Sequence, residues 1–118
     1  LMAAAGDESL WRRVERLEPG TKITISVGSA TSERYFVRVT DAELVVLNLT
    51  APDLPKRRLL NMAKDNPAWM AGTAKTIYKD NSLRVGPDGV FDGDRKLAAL
   101  SAVVEHIARA TVTDVKKA

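Results

Sequence analysis

The chain has no cysteine and a single histidine, His106, in 118 residues. Without cysteine there is no disulfide framework, no thiol nucleophile and no thiolate metal site. One histidine excludes a histidine-rich metal centre. Aromatic residues make up 5% of the chain, so rings on which nucleic-acid bases could stack are scarce. No apolar run approaches the roughly 18 residues that would suggest a membrane-spanning helix. Gly28, Gly86, Gly89 and Gly93 never assemble into G-x-G-x-x-G or G-x-x-x-x-G-K-[ST], and no G-x-S-x-G occurs. The sequence therefore carries no phosphate loop and no nucleophile elbow.

What is present is an ordinary globular composition, 45% hydrophobic and 28% charged. At about 150 residues per domain, the length allows one, so 1–118 reads as a single domain. Eighteen Lys and Arg against fifteen Asp and Glu give a net charge of +3. The pI of about 9.4 lies just above the value near 9 at which nucleic-acid binding becomes worth testing. The positive residues are dispersed, however, and Lys56-Arg57-Arg58 is the only run of three. With Lys64 it forms the candidate patch for an anionic partner; the plainer reading is the wet side of a surface helix.

Leu1-Met2-Ala3-Ala4-Ala5-Gly6 is small and apolar, and residues 1–6 read as a signal-peptide remnant or a frayed terminus. On that pattern a periplasmic or secreted location is favoured over the cytoplasm. Asp7 is a candidate N-cap for a helix through Leu17, with Leu10, Val14, Leu17 and Trp11 forming its apolar stripe. Glu18-Pro19-Gly20 ends it.

The next thirty residues read as a meander. Ile23, Ile25 and Val27 alternate with polar residues in 21–27; Tyr35, Val37 and Val39 do so in 34–40; and 44–49 is almost continuously apolar. Leu54 to Lys64 reads as an amphipathic helix, and Asn66-Pro67 opens a second one carrying Trp69 and Met70. Ser82 to Asp92 holds Pro87-Asp88-Gly89 between two apolar stretches, a hairpin with its turn chemistry at the tip. Leu97, Leu100, Val103, Val104 and Ile107 fit a helical stripe over 95–108, although Val103–Ile107 also suits a strand. Val112 and Val115 lead to a basic C-terminus.

The segment from Trp11 to Leu49 resembles the front half of an Sm-like small β-barrel: a helix, Pro19-Gly20-Thr21-Lys22-Ile23 entering a strand, a turn near Gly28, and Val39-Thr40-Asp41 before an apolar strand. His106 to Val115, with Ile107-Ala108-Arg109 in it, is similar to the closing run of that fold. The architecture also resembles uncharacterised bacterial proteins with an Sm- or SH3-like barrel. The resemblance covers about half the chain and implies an α+β fold: an N-terminal helix, a strongly bent antiparallel sheet and a helical insertion over 52–95. RNA-binding members carry Gly opening their second strand and Asp-x-x-Asn after it. Here Arg34 or Tyr35 stands at the first place, and Leu44 lies three after Asp41. A protein partner is therefore favoured over RNA, with pairing of sheet edges as a route to a homo-oligomer.

No linear constellation for catalysis emerges. His106 has no nucleophile or orienting group beside it in sequence. Asp88, Asp92 and Asp94 do not have the spacing of a calcium loop and are better explained as turn and cap residues. Trp11, Trp69, Tyr35 and Phe91 read as core. Asn48-Leu49-Thr50 matches a glycosylation sequon at a strand end. The expectation is a non-catalytic interaction or structural module with no cofactor and no metal. An Sm-like RNA-binding ring is the first alternative, and an enzyme with a site assembled across the fold is the second.

Overall fold

The alternating stretches after Pro19-Gly20 form strands β1 (Lys22–Val27), β2 (Ala30–Val39) and β3 (Glu43–Leu47). The computed structural model describes residues 2–65 and 78–118. Before the meander lies α1 (Met2–Glu15); after it come α2 (Lys56–Asp65), β4 (Tyr78–Asp80), β5 (Leu83–Gly86), β6 (Gly89–Asp92), β7 (Arg95–Ala98), α3 (Leu100–Val103), β8 (Val104–Ala108), a 3₁₀ turn at Arg109–Thr111, and β9 (Asp114–Lys117). The fold is α+β, with two antiparallel sheets ordered β8-β3-β2-β1-β9 and β4-β5-β6-β7. The larger sheet is not a closed barrel: β8 and β9 are its two edges.

Several sequence expectations need correcting. The helix begins at Met2, so Asp7 lies within it and does not cap it. Ala3-Ala4-Ala5 are the strongest helix formers and extend it toward the N-terminus. The second strand starts at Ala30 rather than Arg34, because Gly28 at φ +61° lets a tight turn close the β1–β2 hairpin. The helix expected over 95–108 is mostly strand: β7 and β8 flank the four-residue α3. Stiff, β-branched Val104 and Ile107 suit an edge strand, where β8 finds a complete ladder along β3. The helix expected from Asn66-Pro67, with Trp69 and Met70, lies outside the described residues.

β3 is apolar at almost every position because both of its faces are covered. Leu44 and Val46 join Leu10, Trp11 and Val14 of α1, Ile23, Ile25, Phe36, Val112 and Val115 in one cluster. Val45 and Leu47 point the other way, into a second cluster with Leu59, Met62 and Ala63 of α2 and Leu83, Val85 and Val90 of the smaller sheet. A β-bulge serves both clusters: the β2–β3 register shifts between Phe36 and Arg38. Before it, ordinary alternation puts Phe36 in the first cluster and Tyr35 and Val37 with the second; after it, Val39 packs against the first. The expected one-faced alternation of Tyr35, Val37 and Val39 is thus broken at the bulge. Trp11 is buried and Tyr35 packs against the second cluster. Phe91 is not core: it is half-buried under the Arg84 guanidinium, 4.3 Å from its ring centre.

Candidate functional site

α1 buries Leu10, Trp11 and Val14, which turns Arg12, Arg13 and Arg16 outward. β9 lies along β1 with Val115 opposite Ile25 and Lys117 opposite Ile23. Val115 is buried, alternation turns Lys116 to the opposite face, and Lys117, on the face of Val115, is exposed at the end of the strand. Between the helix and this edge strand runs a groove of about 410 Å³, lined by Arg13, Val14, Arg16, Leu17 and residues 115–117. Its floor is apolar and its rims carry four cations.

One carboxylate stands near those cations. Asp114 lies 3.7 Å from both Arg13 and Lys116. Exposed pairs at that distance contribute little and exchange readily for another anion. Arg16 and Lys117 have no carboxylate partner among the described residues. The arrangement suits a ligand that presents carboxylates around an apolar side chain. Among the described residues no aromatic lines the groove, and Trp11, on the adjacent helix face, is 4% exposed.

His106 has a partner the sequence did not reveal. Its Nδ1 lies 2.6 Å from Glu43 Oε2, brought there by the β3–β8 register across 63 positions. Among the described residues no hydroxyl is hydrogen-bonded to the other ring nitrogen. Its sequence neighbour Glu105 faces the opposite way and accepts a 2.7 Å bond from Arg34 Nε. The pair joins the edge strand β8 to β3.

Lys56, Arg57 and Lys64 are exposed on α2, and Arg58 is half-buried. They occupy the first and last turns of the helix, opposite its buried Leu59, Met62 and Ala63. None of them lines the α1–β9 groove. Asp88, Asp92 and Asp94 are exposed, and no metal-holding group of acids and histidine is found among the described residues. Asp41 is exposed in the β2–β3 turn; the turn is held by Thr40, whose Oγ1 accepts from the backbone N–H groups of Ala42 and Glu43. The Asn48 side-chain Oδ1 accepts from the Thr50 N–H at 3.1 Å and from its hydroxyl at 2.7 Å. No helix among the described residues is long and apolar enough to cross a membrane.

No family model matches the chain, and no curated protein or solved structure matches it.

The groove escaped sequence reading because its two walls come from opposite ends of the chain. Both halves were visible separately, as the wet face of the first helix and the basic C-terminus. Only the pairing of β9 with β1 brings them together.

Proposed function

We propose that the protein is a non-catalytic interaction module, built on a strongly bent Sm- or SH3-like sheet, that binds an acidic protein segment between α1 and β9. The observation that carries the reading is the groove itself, four cations around Val14, Leu17 and Val115. Carboxylates of a bound segment meet the cations while an apolar side chain covers the floor. The outer edge of β9 is unpaired in the sheet order, so an extended segment can also gain main-chain hydrogen bonds there. Lys116 and Lys117 favour an acidic strand there.

The bent sheet is supported by the closing segment. Ala108 faces Glu43 at the start of β3, and Asp114 faces Ser26 near the end of β1. In a flat sheet those strands would stand about 19 Å apart, and the stretch of β2 from Thr31 to Val39 would add about 26 Å lengthwise. Residues 109–113 begin with a 3₁₀ turn, so the connection reaches less than about 20 Å. A curled sheet would bring the two ends within that reach, which supports the reading.

The test is anisotropy of a short labelled peptide alternating Glu and Leu, at about 50 and about 200 mM salt. Saturable binding that weakens with salt is expected, with a loss of about tenfold or more in the double variant Arg16→Glu, Lys117→Glu. Both positions are exposed, so the variant keeps its fold. An affinity unchanged by that double reversal overturns the reading. The two unpaired edges, β8 and β9, also favour a second reading, a head-to-tail ring of copies. Light scattering that finds a stable ring points to it instead.

A further inference from the structure

The smaller sheet has one face in the core and one in solvent. Leu83, Val85 and Val90 are at most 1% exposed on the core side. Alternation therefore turns Arg84 and Phe91 outward. The register aligns these with two lysines: Lys79 faces Arg84, Arg84 faces Phe91, and Phe91 faces Lys96. One outward residue from each of the four strands thus forms a single row, Lys-Arg-Phe-Lys, with outer members about 14 Å apart at about 4.8 Å per strand.

Three properties set this row apart from scattered surface charge. Its three cations have no carboxylate partner among the described residues. Of the acids nearest along the chain, Asp80 and Asp92 stand opposite Leu83 in the ladder and not in the row, and Asp88 and Asp94 sit in the turns at opposite ends of β6. The neighbours two positions away on the same face are small: Ser82 and Gly86 beside Arg84, Gly89 and Gly93 beside Phe91. The Arg84 guanidinium already lies over the Phe91 ring, 4.3 Å from its centre, so a cation and an aromatic ring stand together in the middle of the row.

From this we infer that the exposed face of the β4–β7 sheet binds single-stranded nucleic acid. A base stacks on the Arg84–Phe91 pair, and Lys79 and Lys96 neutralise phosphates on either side. Planar bases are recognised on aromatic and guanidinium planes, and flanking cations track the backbone. An acidic peptide would use the cations but leave the stacked plane without a partner. The row spans Lys79 to Lys96, between the two stretches of the chain that resemble an Sm-like barrel, and is separate from the α1–β9 groove.

The experiment is anisotropy with labelled single-stranded RNA and DNA of about 12 nucleotides and with the matching duplex, at about 50 and about 200 mM salt. Expected are saturable single-strand binding that weakens with salt and a weaker duplex signal. Phe91→Leu and Arg84→Gln should each lose about tenfold in affinity. Lys79→Gln with Lys96→Gln should flatten the salt dependence. Arg16→Glu with Lys117→Glu should leave the affinity within about twofold, since those residues line the other surface. Circular dichroism confirms that each variant is folded, and Arg84→Gln stands in if Phe91→Leu is not. The inference is overturned by no binding at low salt, by equal duplex affinity with Arg84→Gln inert, or by loss confined to the groove variant.

Discussion

The Arg109 guanidinium lies 4.5 Å from the ring centre of Trp11 and donates from Nη1 to the Thr40 carbonyl at 2.9 Å. One side chain in the 3₁₀ turn therefore clamps the first helix to the end of β2, while its own backbone N–H bonds Ala42 at 3.0 Å. Lysine cannot reproduce this. A planar fork stacks and donates at once, whereas an ammonium is a strongly hydrated point charge. We predict that Arg109→Lys lowers stability by about 1–2 kcal/mol, the sum of a half-buried cation–π contact and one hydrogen bond. Urea titration reads it, and a midpoint equal to the parent's would show that the clamp contributes nothing.

Val45 and Val46 are adjacent on β3, yet both are fully buried, one in each core cluster. A strand with one wet face tolerates a hydroxyl at every second position; this one should tolerate it at neither. Val45→Thr and Val46→Thr are each expected to cost about 1–3 kcal/mol, because the new hydroxyl is buried without a waiting partner. Denaturant midpoints of the two variants check it. A neutral Val45→Thr would mean that the smaller sheet and α2 do not seal that face in solution.

What the sequence made legible was local. The meander could be read because Ile23 and Ile25 alternate with polar residues and turn residues lie between the strands. The hairpin at Pro87-Asp88 and the amphipathic α2 were likewise spelled out within single windows. The stripe through Leu97, Leu100, Val103 and Ile107 misled, since a spacing of three and four also arises when two short strands flank a single helical turn. Which face wins there depends on β3 offering a ladder, a fact of tertiary structure. For the same reason neither candidate surface was legible. Arg13 meets Lys117 only through the β1–β9 pairing, and the row from Lys79 to Lys96 exists only through the register of four strands. Phe91 was mistaken for core because periodicity shows that two faces exist and not which one is covered.

Arg34 and Glu105 form the shortest Arg–carboxylate contact among the described residues, at 2.7 Å, with side chains 18% and 29% exposed. Partial burial makes such a pair more consequential than an exposed one, and removing one partner strands the other. Glu105→Gln and Arg34→Gln should each destabilise by about 1–2 kcal/mol, with a coupling of about 1 kcal/mol in the double-mutant cycle. Strictly additive single costs would mean that the contact does not join β2 to β8.

Gly89 and Gly93 both have positive φ, at +130° and +61°, but their surroundings differ. A Cβ at Gly89 would lie 2.6 Å from the Ala98 carbonyl oxygen in the neighbouring strand, whereas at Gly93 nothing lies within 4 Å. The carbonyl belongs to the ladder and cannot give way without loosening β7, where the register already shifts between Val90 and Phe91. Gly93→Ala adopts a left-handed conformation that costs an L-residue about 1–2 kcal/mol. Gly89→Ala adds a steric clash with backbone to a worse dihedral, so it should cost at least about 3 kcal/mol. Thermal melts of the two variants side by side test the difference. Equal losses would mean that β7 moves freely away from β6, in which case the row ending at Lys96 would not be held in register.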